Sequence, residues 1–366
     1  MKSNILLASP HMSEEKYEEA FVQEAFDTNW VAPVGKNISL FEQEIATYTK
    51  MPAACATSSG TAAMHLALEL LNIGPGDQVI CSTFTFVASC NPIVYVGATP
   101  LFIDSEEETW NMDPELLRQA LEENPKVKAV IVVHLYGMPA KMAEIMEICA
   151  QYNVPVIEDA AESLGSTYRN QLTGSFGAFG IYSFNGNKII TTSGGGMLVA
   201  TSEQDILHAR HLATQAREDR PYYHHEKIGY NYRLSNISAG IGRGQMRVLE
   251  QRIDQKRAIH QSYQERIAKK IGRVMSEPDG SRSNYWLSCL LLESKDPLAV
   301  MDYLNKENIE SRPLWKPMHL QPIFQNEKSY LNGVSERLFA TGLCLPSDTK
   351  MTQEQQERVI AILNQC

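Results

Sequence analysis

The sequence predicts an α/β protein built on a mostly parallel sheet covered on both faces. Short apolar runs, QVICS, TPLFID, VKAVIVVH, VPVIE, AFGIYSF and GMLVA, recur between about residues 55 and 240. Helical stretches such as PELLRQALEE and KMAEIMEICAQY separate them. Runs that are apolar throughout suit strands buried on both sides, and alternation with helices is the pattern of parallel strands joined by crossovers. With 366 residues the chain can bury a large core, and its length suits two domains that share one cleft.

In chain order, residues 1–50 read as an N-terminal arm, 51–245 as the large α/β domain, and 246–366 as a linking helix with a smaller α+β C-terminal domain. SEEKYEEAFVQEAFDTN reads as a helix capped at Ser13, with an acidic first turn that suits the helix dipole. TNWVAPVGKN follows and is too rich in turn formers to be regular. GYNYRLSN, Gly229 to Asn236, reads as a loop between two helical stretches. From Ile237 a long helix is expected through GQMRVLEQRIDQKRAIHQSYQERI, its charges on a solvated face. The smaller domain mixes strands (YWLSCLLLE, GLCLPS) with helices (PLAVMDYLNKEN, TQEQQERVIAILNQC). RPLWKPMHLQP is a loop stiffened by three prolines that displays Trp315, Lys316, Met318 and His319.

A formal net charge of -10 speaks against a nucleic-acid partner, which would call for a basic face. The 7 cysteines are scattered singly without CxxC spacing, which argues for reduced thiols rather than disulfides or zinc. No basic-then-apolar leader opens the chain and no apolar run is long enough to span a bilayer, so a soluble cytoplasmic protein without a membrane partner is expected. No GxGxxG follows the first strand, which weighs against a dinucleotide-dependent oxidoreductase.

Three stretches carry chemistry. SFNGNKIITTSGGGML holds Lys188 between Ser183 and the turn Gly194 to Gly196, so an amine able to form an imine lies next to a backbone free to turn closely. VIEDAAESLGS ends an apolar strand candidate at Asp159, beyond which ligands of parallel sheets bind. A carboxylate there can keep a basic ring nitrogen protonated; taken alone, Asp159 reads better as the N-cap of AAESLG. TSSGTAAMHLALELL sets Ser58, Ser59, Gly60 and Thr61 ahead of a helical run, where free amides can meet a phosphate or the hydroxyls can merely cap. A lysine, an acid and a phosphate-ready helix start together point to pyridoxal phosphate.

With these motifs, and with NWVAPVG, STFTFVAS, GATPLFID, VHLYGMPA, GYNYRLSNISAGIGRGQM and RPLWKPMHLQP, the chain resembles the DegT/DnrJ/EryC1/StrS sugar aminotransferases over nearly its whole length. Within them it is similar to the branch acting on UDP-linked 4-keto-6-deoxy-N-acetylhexosamines of the bacillosamine route. The resemblance implies the aspartate aminotransferase fold (fold type I), pyridoxal 5'-phosphate as cofactor, and L-glutamate as amino donor to C4 of the nucleotide sugar. It implies Lys188 as the cofactor lysine and general base, Asp159 opposite the ring nitrogen, and Phe86 stacked on the ring. Ser59, Gly60, Thr61 and Ser183 would meet the phosphate, with Asn231 reaching the phosphate of a second subunit in a homodimer with shared sites. Glu162 would orient substrate or Lys188, or be a helix-surface carboxylate. Trp30, on a segment that the resemblance lays against the partner subunit and the active-site mouth, would pack there or stand at the entrance and bind substrate, and Arg312, Lys316 and His319 would bind substrate from a loop that otherwise reads as a rigid surface loop. The TTSGGG turn, where many relatives carry a Glu, fits the bacillosamine-type branch. A dTDP- or GDP-linked 4-keto sugar stays open as the alternative.

Overall fold

A computed structural model describes residues 4–366. Its eight-stranded sheet runs, edge to edge, Ala53–Thr57, Gly196–Ala200, Phe179–Ser183, Val156–Asp159, Val127–Val133, Gln78–Ser82, Thr99–Ile103 and Ser329–Tyr330. Gly196–Ala200 pairs antiparallel with both neighbours, and every other pairing in this sheet is parallel. The apolar runs are continuous because successive side chains enter different cores. Ile131 packs with Met64, Leu66 and Phe102, whereas Val130 and Val132 pack with Leu117, Ile145 and Ile148.

Helix starts follow local chemistry. Ser59 Oγ accepts the Ala62 N–H at 3.0 Å and opens Gly60–Leu70; Asp113 accepts from Glu115 and Leu116 and opens Pro114–Glu123, which has proline at its first turn. Two expectations need correction. The first helix spans Tyr17–Asp27 rather than starting after Ser13, because Lys16 takes a left-handed φ of 59°; Ser13 Oγ still accepts the Tyr17 N–H at 2.9 Å, one turn early. The long helix is two, Asn236–Met246 and Leu249–Arg266. Nor is the charged face of the second one wholly solvated: Arg252, Lys256 and His260 are buried, with Arg252 donating to the Met12 carbonyl at 3.0 Å.

C-terminal residues form a four-stranded antiparallel sheet in the order Gly272–Val274, Ser288–Leu292, Gly342–Leu345, Arg312–Pro313. Tyr263, Val359 and Leu363 pack on it with Leu290, Leu292 and Leu343. A separate three-stranded sheet joins Ser281–Arg282 to Thr167–Tyr168 and Gln171–Leu172, and so ties this part to the segment between the strands Val156–Asp159 and Phe179–Ser183. Between them, at the carboxyl ends of the parallel strands, lies a cavity.

Candidate active site

The cavity measures about 390 Å³, within the range of small-molecule sites. Strand ends supply most of its wall: Ser58 and Ser59 after Ala53–Thr57, Thr85, Phe86 and Ser89 after Gln78–Ser82, Asp159 and Glu162 at and after Val156–Asp159, and Ser183 with Lys188 at and after Phe179–Ser183. The C-terminal part adds Trp286 and Trp315.

Lys188 lies on the loop between Phe179–Ser183 and Gly196–Ala200. Its Nζ is 3.4 Å from Glu162 Oε1 and 4.2 Å from the centroid of the Trp286 ring. Glu162 is buried at 5 % exposure, and its other oxygen accepts the Tyr136 N–H at 2.7 Å. Burial pushes its carboxyl up to about 7, against the pull of the Lys188 charge and of the Tyr136 N–H. Asp159 Oδ2 accepts from Ser89 Oγ at 2.6 Å, and Ser89 Oγ in turn lies 2.7 Å from Thr85 Oγ1. The second Asp159 oxygen accepts the Ala161 N–H at 3.2 Å; AAESLG forms turns, so this is a turn contact and not a helix cap.

The adjoining residue Glu158 does different work. Fully buried, it accepts three backbone N–H groups, from Gly174, Phe176 and Gly177, and one from His134 Nε2. His134 Nδ1 accepts the Ala140 N–H, so this histidine is structural.

At the other end, Ser59 Oγ is engaged in capping, which leaves the Gly60 and Thr61 amides as first-turn donors without intrahelical acceptors. Ser183 sits beside this helix start: a Cβ on Gly60 would lie 3.3 Å from Ser183 Cβ. Gly196 permits the approach, since a Cβ there would come 2.4 Å from the Ser59 carbonyl and 2.5 Å from Gly60 N. One wall is aromatic: Phe86, half exposed, lies 5.5 Å from the Trp315 ring, which is 5.1 Å from Tyr136. An amine, a held carboxylate, clustered hydroxyls with free amides and an aromatic wall are the donor set that pyridoxal phosphate requires, so the residues present fit that group.

Of the residues singled out from sequence, Lys188, Asp159, Glu162, Ser59, Gly60, Thr61, Phe86 and Ser183 line this one cavity. Asn231, Trp30, Arg312, Lys316 and His319 do not line it within a single chain. Asn231 bridges to Thr214 on an edge loop, and Trp30 is exposed. Arg312 pairs with Glu310 at 3.0 Å, Lys316 is exposed, and His319 is held by Thr83 at 2.7 Å and Glu336 at 3.2 Å. Ser89, Tyr136 and Trp286 were not singled out. Ser89 closes STFTFVAS, in a short 3-10 turn Val87–Ser89 that follows the strand Gln78–Ser82, and the hydroxyl-rich stretch after a strand is a usable signal; Trp286 contacts a loop 99 residues away and has none.

The DegT/DnrJ/EryC1/StrS aminotransferase family model matches residues 12–364. The chain belongs to that family. It is 50% identical over 373 residues to EpsN of Bacillus subtilis (strain 168), provisionally named a pyridoxal phosphate-dependent aminotransferase, covering 99% of this chain and 96% of EpsN. It is 35% identical to the GDP-perosamine synthase of Caulobacter vibrioides, covering 99% and 98%. Among solved structures, the provisionally named sugar aminotransferase Spr1654 of Streptococcus pneumoniae in its PLP form superposes with a TM-score of 0.92 at 25% identity, covering 99% and 98%. The protein is therefore a pyridoxal phosphate-dependent sugar aminotransferase of fold type I. Among the described residues no helix is long and apolar enough to cross a membrane.

Proposed function

We propose that this aminotransferase moves the amino group of L-glutamate to C4 of a UDP-linked 4-keto-6-deoxy-N-acetylhexosamine, working in the cytoplasm as a homodimer with shared sites. The observation that carries the catalytic part is the meeting of Lys188, Glu162 and Asp159 on one cavity that also holds a helix start and an aromatic wall.

Bound there, pyridoxal phosphate supplies an electron sink for the pair left behind when a C–H bond breaks. Lys188 would hold it covalently, Gly60, Thr61 and Ser183 would hold its phosphate, and Asp159, fixed by Ser89, would face its ring nitrogen. Once free, Lys188 Nζ takes the proton from the carbon that carries the amino group, the general-base role. Glu162, 3.4 Å away and pushed up to about 7 by burial, can exchange a proton beside that amine. In the dimer, Asn231 completes the neighbouring phosphate site. Trp30, Arg312, Lys316 and His319 would serve the nucleotide sugar from outside the single-chain cavity.

A second reading replaces UDP by GDP, with no acetamido group on the sugar; the similarity to a GDP-perosamine synthase favours it. A panel of UDP-, dTDP- and GDP-linked 4-keto-6-deoxy sugars with L-glutamate, read by product mass and NMR, separates the readings. Turnover of the UDP-N-acetyl substrate alone is expected, together with loss of covalent cofactor in Lys188→Ala. Preferential turnover of the GDP sugar would move the assignment to the second reading, and a Lys188→Ala protein that still forms the covalent link would overturn the catalytic assignment.

A further inference from the structure

Trp286 touches the catalytic loop in two ways at once. Its indole Nε1–H donates to the Asn187 carbonyl at 2.6 Å, and the face of the same ring lies 4.2 Å from Lys188 Nζ. The indole thus grips the backbone just before the lysine and also carries the end of its side chain. A planar ring with one donor edge does both only if its own position is fixed.

Its backbone is fixed from two sides. Trp286 N–H donates to Asn284 Oδ1 at 2.9 Å, and the Trp286 carbonyl accepts from Lys256 Nζ, also at 2.9 Å. Lys256 and Asn284 are both buried, so these bonds form out of competition with water. The Asn284 amide reaches further, donating to the carbonyls of Glu162 at 2.9 Å and Leu164 at 3.0 Å. One short segment of the C-terminal part therefore holds the backbone of Glu162 through Asn284 and that of Asn187 through Trp286.

We infer that Trp286 is a positioning residue for Lys188: with Asn284 it sets the separation between the Lys188 amine and the Glu162 carboxyl, and its ring is the resting place of the amine when no bond ties it elsewhere. An amine swinging on a four-carbon stem would otherwise sample many positions. A cation over an indole face is held by the ring quadrupole, and the Asn187 contact removes the freedom of the stem's base.

The inference rests on Lys188 being the reacting amine, and the experiment separates the two. In the full-length protein freed of cofactor, a limiting pulse of an amine-reactive acetylating reagent is read lysine by lysine by mass spectrometry. Wild type is compared with Trp286→Phe, which keeps a ring and loses the donor, and with Trp286→Leu, which loses both. Lys188 labelling is expected to rise about 10-fold in the Leu variant and by a smaller factor in the Phe variant, with other lysines unchanged; in the separately assayed holoenzymes, turnover with L-glutamate should be slowed in kcat more than in KM. Equal Lys188 labelling in wild type and both variants would overturn the inference, as would a rise shared by all lysines. If borohydride reduction of the wild-type holoenzyme fixes cofactor elsewhere than on Lys188, the catalytic assignment fails first.

Discussion

Lys188 Nζ and Glu162 Oε1 stand 3.4 Å apart in a site where Glu162 is almost wholly out of water. Close contact with an amine ordinarily lowers a carboxyl, yet here burial outweighs it and pushes Glu162 up to about 7.

That balance makes folding stability depend on pH in a definite direction. Glu162 binds its proton more tightly in the folded chain than in the unfolded one, where it titrates near 4.5. The stability this provides is complete below pH 4.5 and is lost as pH rises through about 7. Across that window the loss is about 3 kcal/mol. Glu162→Gln carries no titrating group, so its stability relative to wild type should improve by a similar amount from pH 4.5 to 8. Urea midpoints of the cofactor-free proteins at the two pH values check this; parallel pH curves for the two proteins would show that Glu162 is not raised.

How far the sequence could be read depended on the range of the interactions. QVICS and PELLRQALEE form a strand and a helix over the expected residues because their signals, apolar runs and an Asp-Pro start, are local. Ser183, Lys188 and Asp159 come from stretches whose turn and strand-end character shows in a few residues, and they meet on one cavity. Arg252 and Lys256 looked like a solvated face because periodicity cannot tell which polar backbone groups will be packed against a helix; here they are the Met12 and Trp286 carbonyls. The break at Arg247 and Val248 holds no proline or glycine itself; Gly240, Gly242 and Gly244 precede it, but inside the first helix. Trp286 was hidden within YWLSCLLLE, whose strand begins only at Ser288, and its partner Asn187 is found only through the fold.

Ser89→Ala should slow turnover without releasing cofactor. Ser89 Oγ is the side-chain donor to Asp159 Oδ2, and a hydrogen bond to a charged group is worth about 1.5–3 kcal/mol. Part of that should appear as a fall in kcat of about 10-fold if, as proposed, Asp159 faces the ring nitrogen and a less firmly held Asp159 supports it less well as charge builds. Single-turnover rates with L-glutamate measure it. A rate equal to wild type would mean that Asp159 needs no such partner.

Gly196→Ala should weaken cofactor binding through the phosphate end. The added Cβ would come 2.4 Å from the Ser59 carbonyl and 2.5 Å from Gly60 N, both backbone, so no side-chain rotation relieves the clash. Overpacking of this kind costs about 1–3 kcal/mol, and here it displaces the first-turn amides themselves. Pyridoxal phosphate affinity, followed by absorbance titration, should drop by about 10-fold. Gly74→Ala, whose Cβ would come no closer than 3.9 Å to Val96 O, should leave it unchanged.

Glu158→Gln should cost more than its isosteric shape suggests. One Glu158 oxygen accepts from Phe176 N at 2.5 Å and Gly177 N at 2.7 Å, the other from Gly174 N at 2.8 Å and His134 Nε2 at 2.9 Å. Whichever way the amide turns, its NH₂ confronts two donors. His134 cannot relieve one of them by moving its proton, because its Nδ1 already accepts the Ala140 N–H at 3.1 Å. The buried donors left without acceptors should cost about 3–5 kcal/mol, seen as a lower urea midpoint. Because Glu158 directly precedes Asp159 on the same strand, the loss should also reach the site as reduced cofactor occupancy in the purified protein. A Gln variant matching wild type in both measurements would show that the four donors find other acceptors, and that Glu158 does not anchor the strand end on which Asp159 sits.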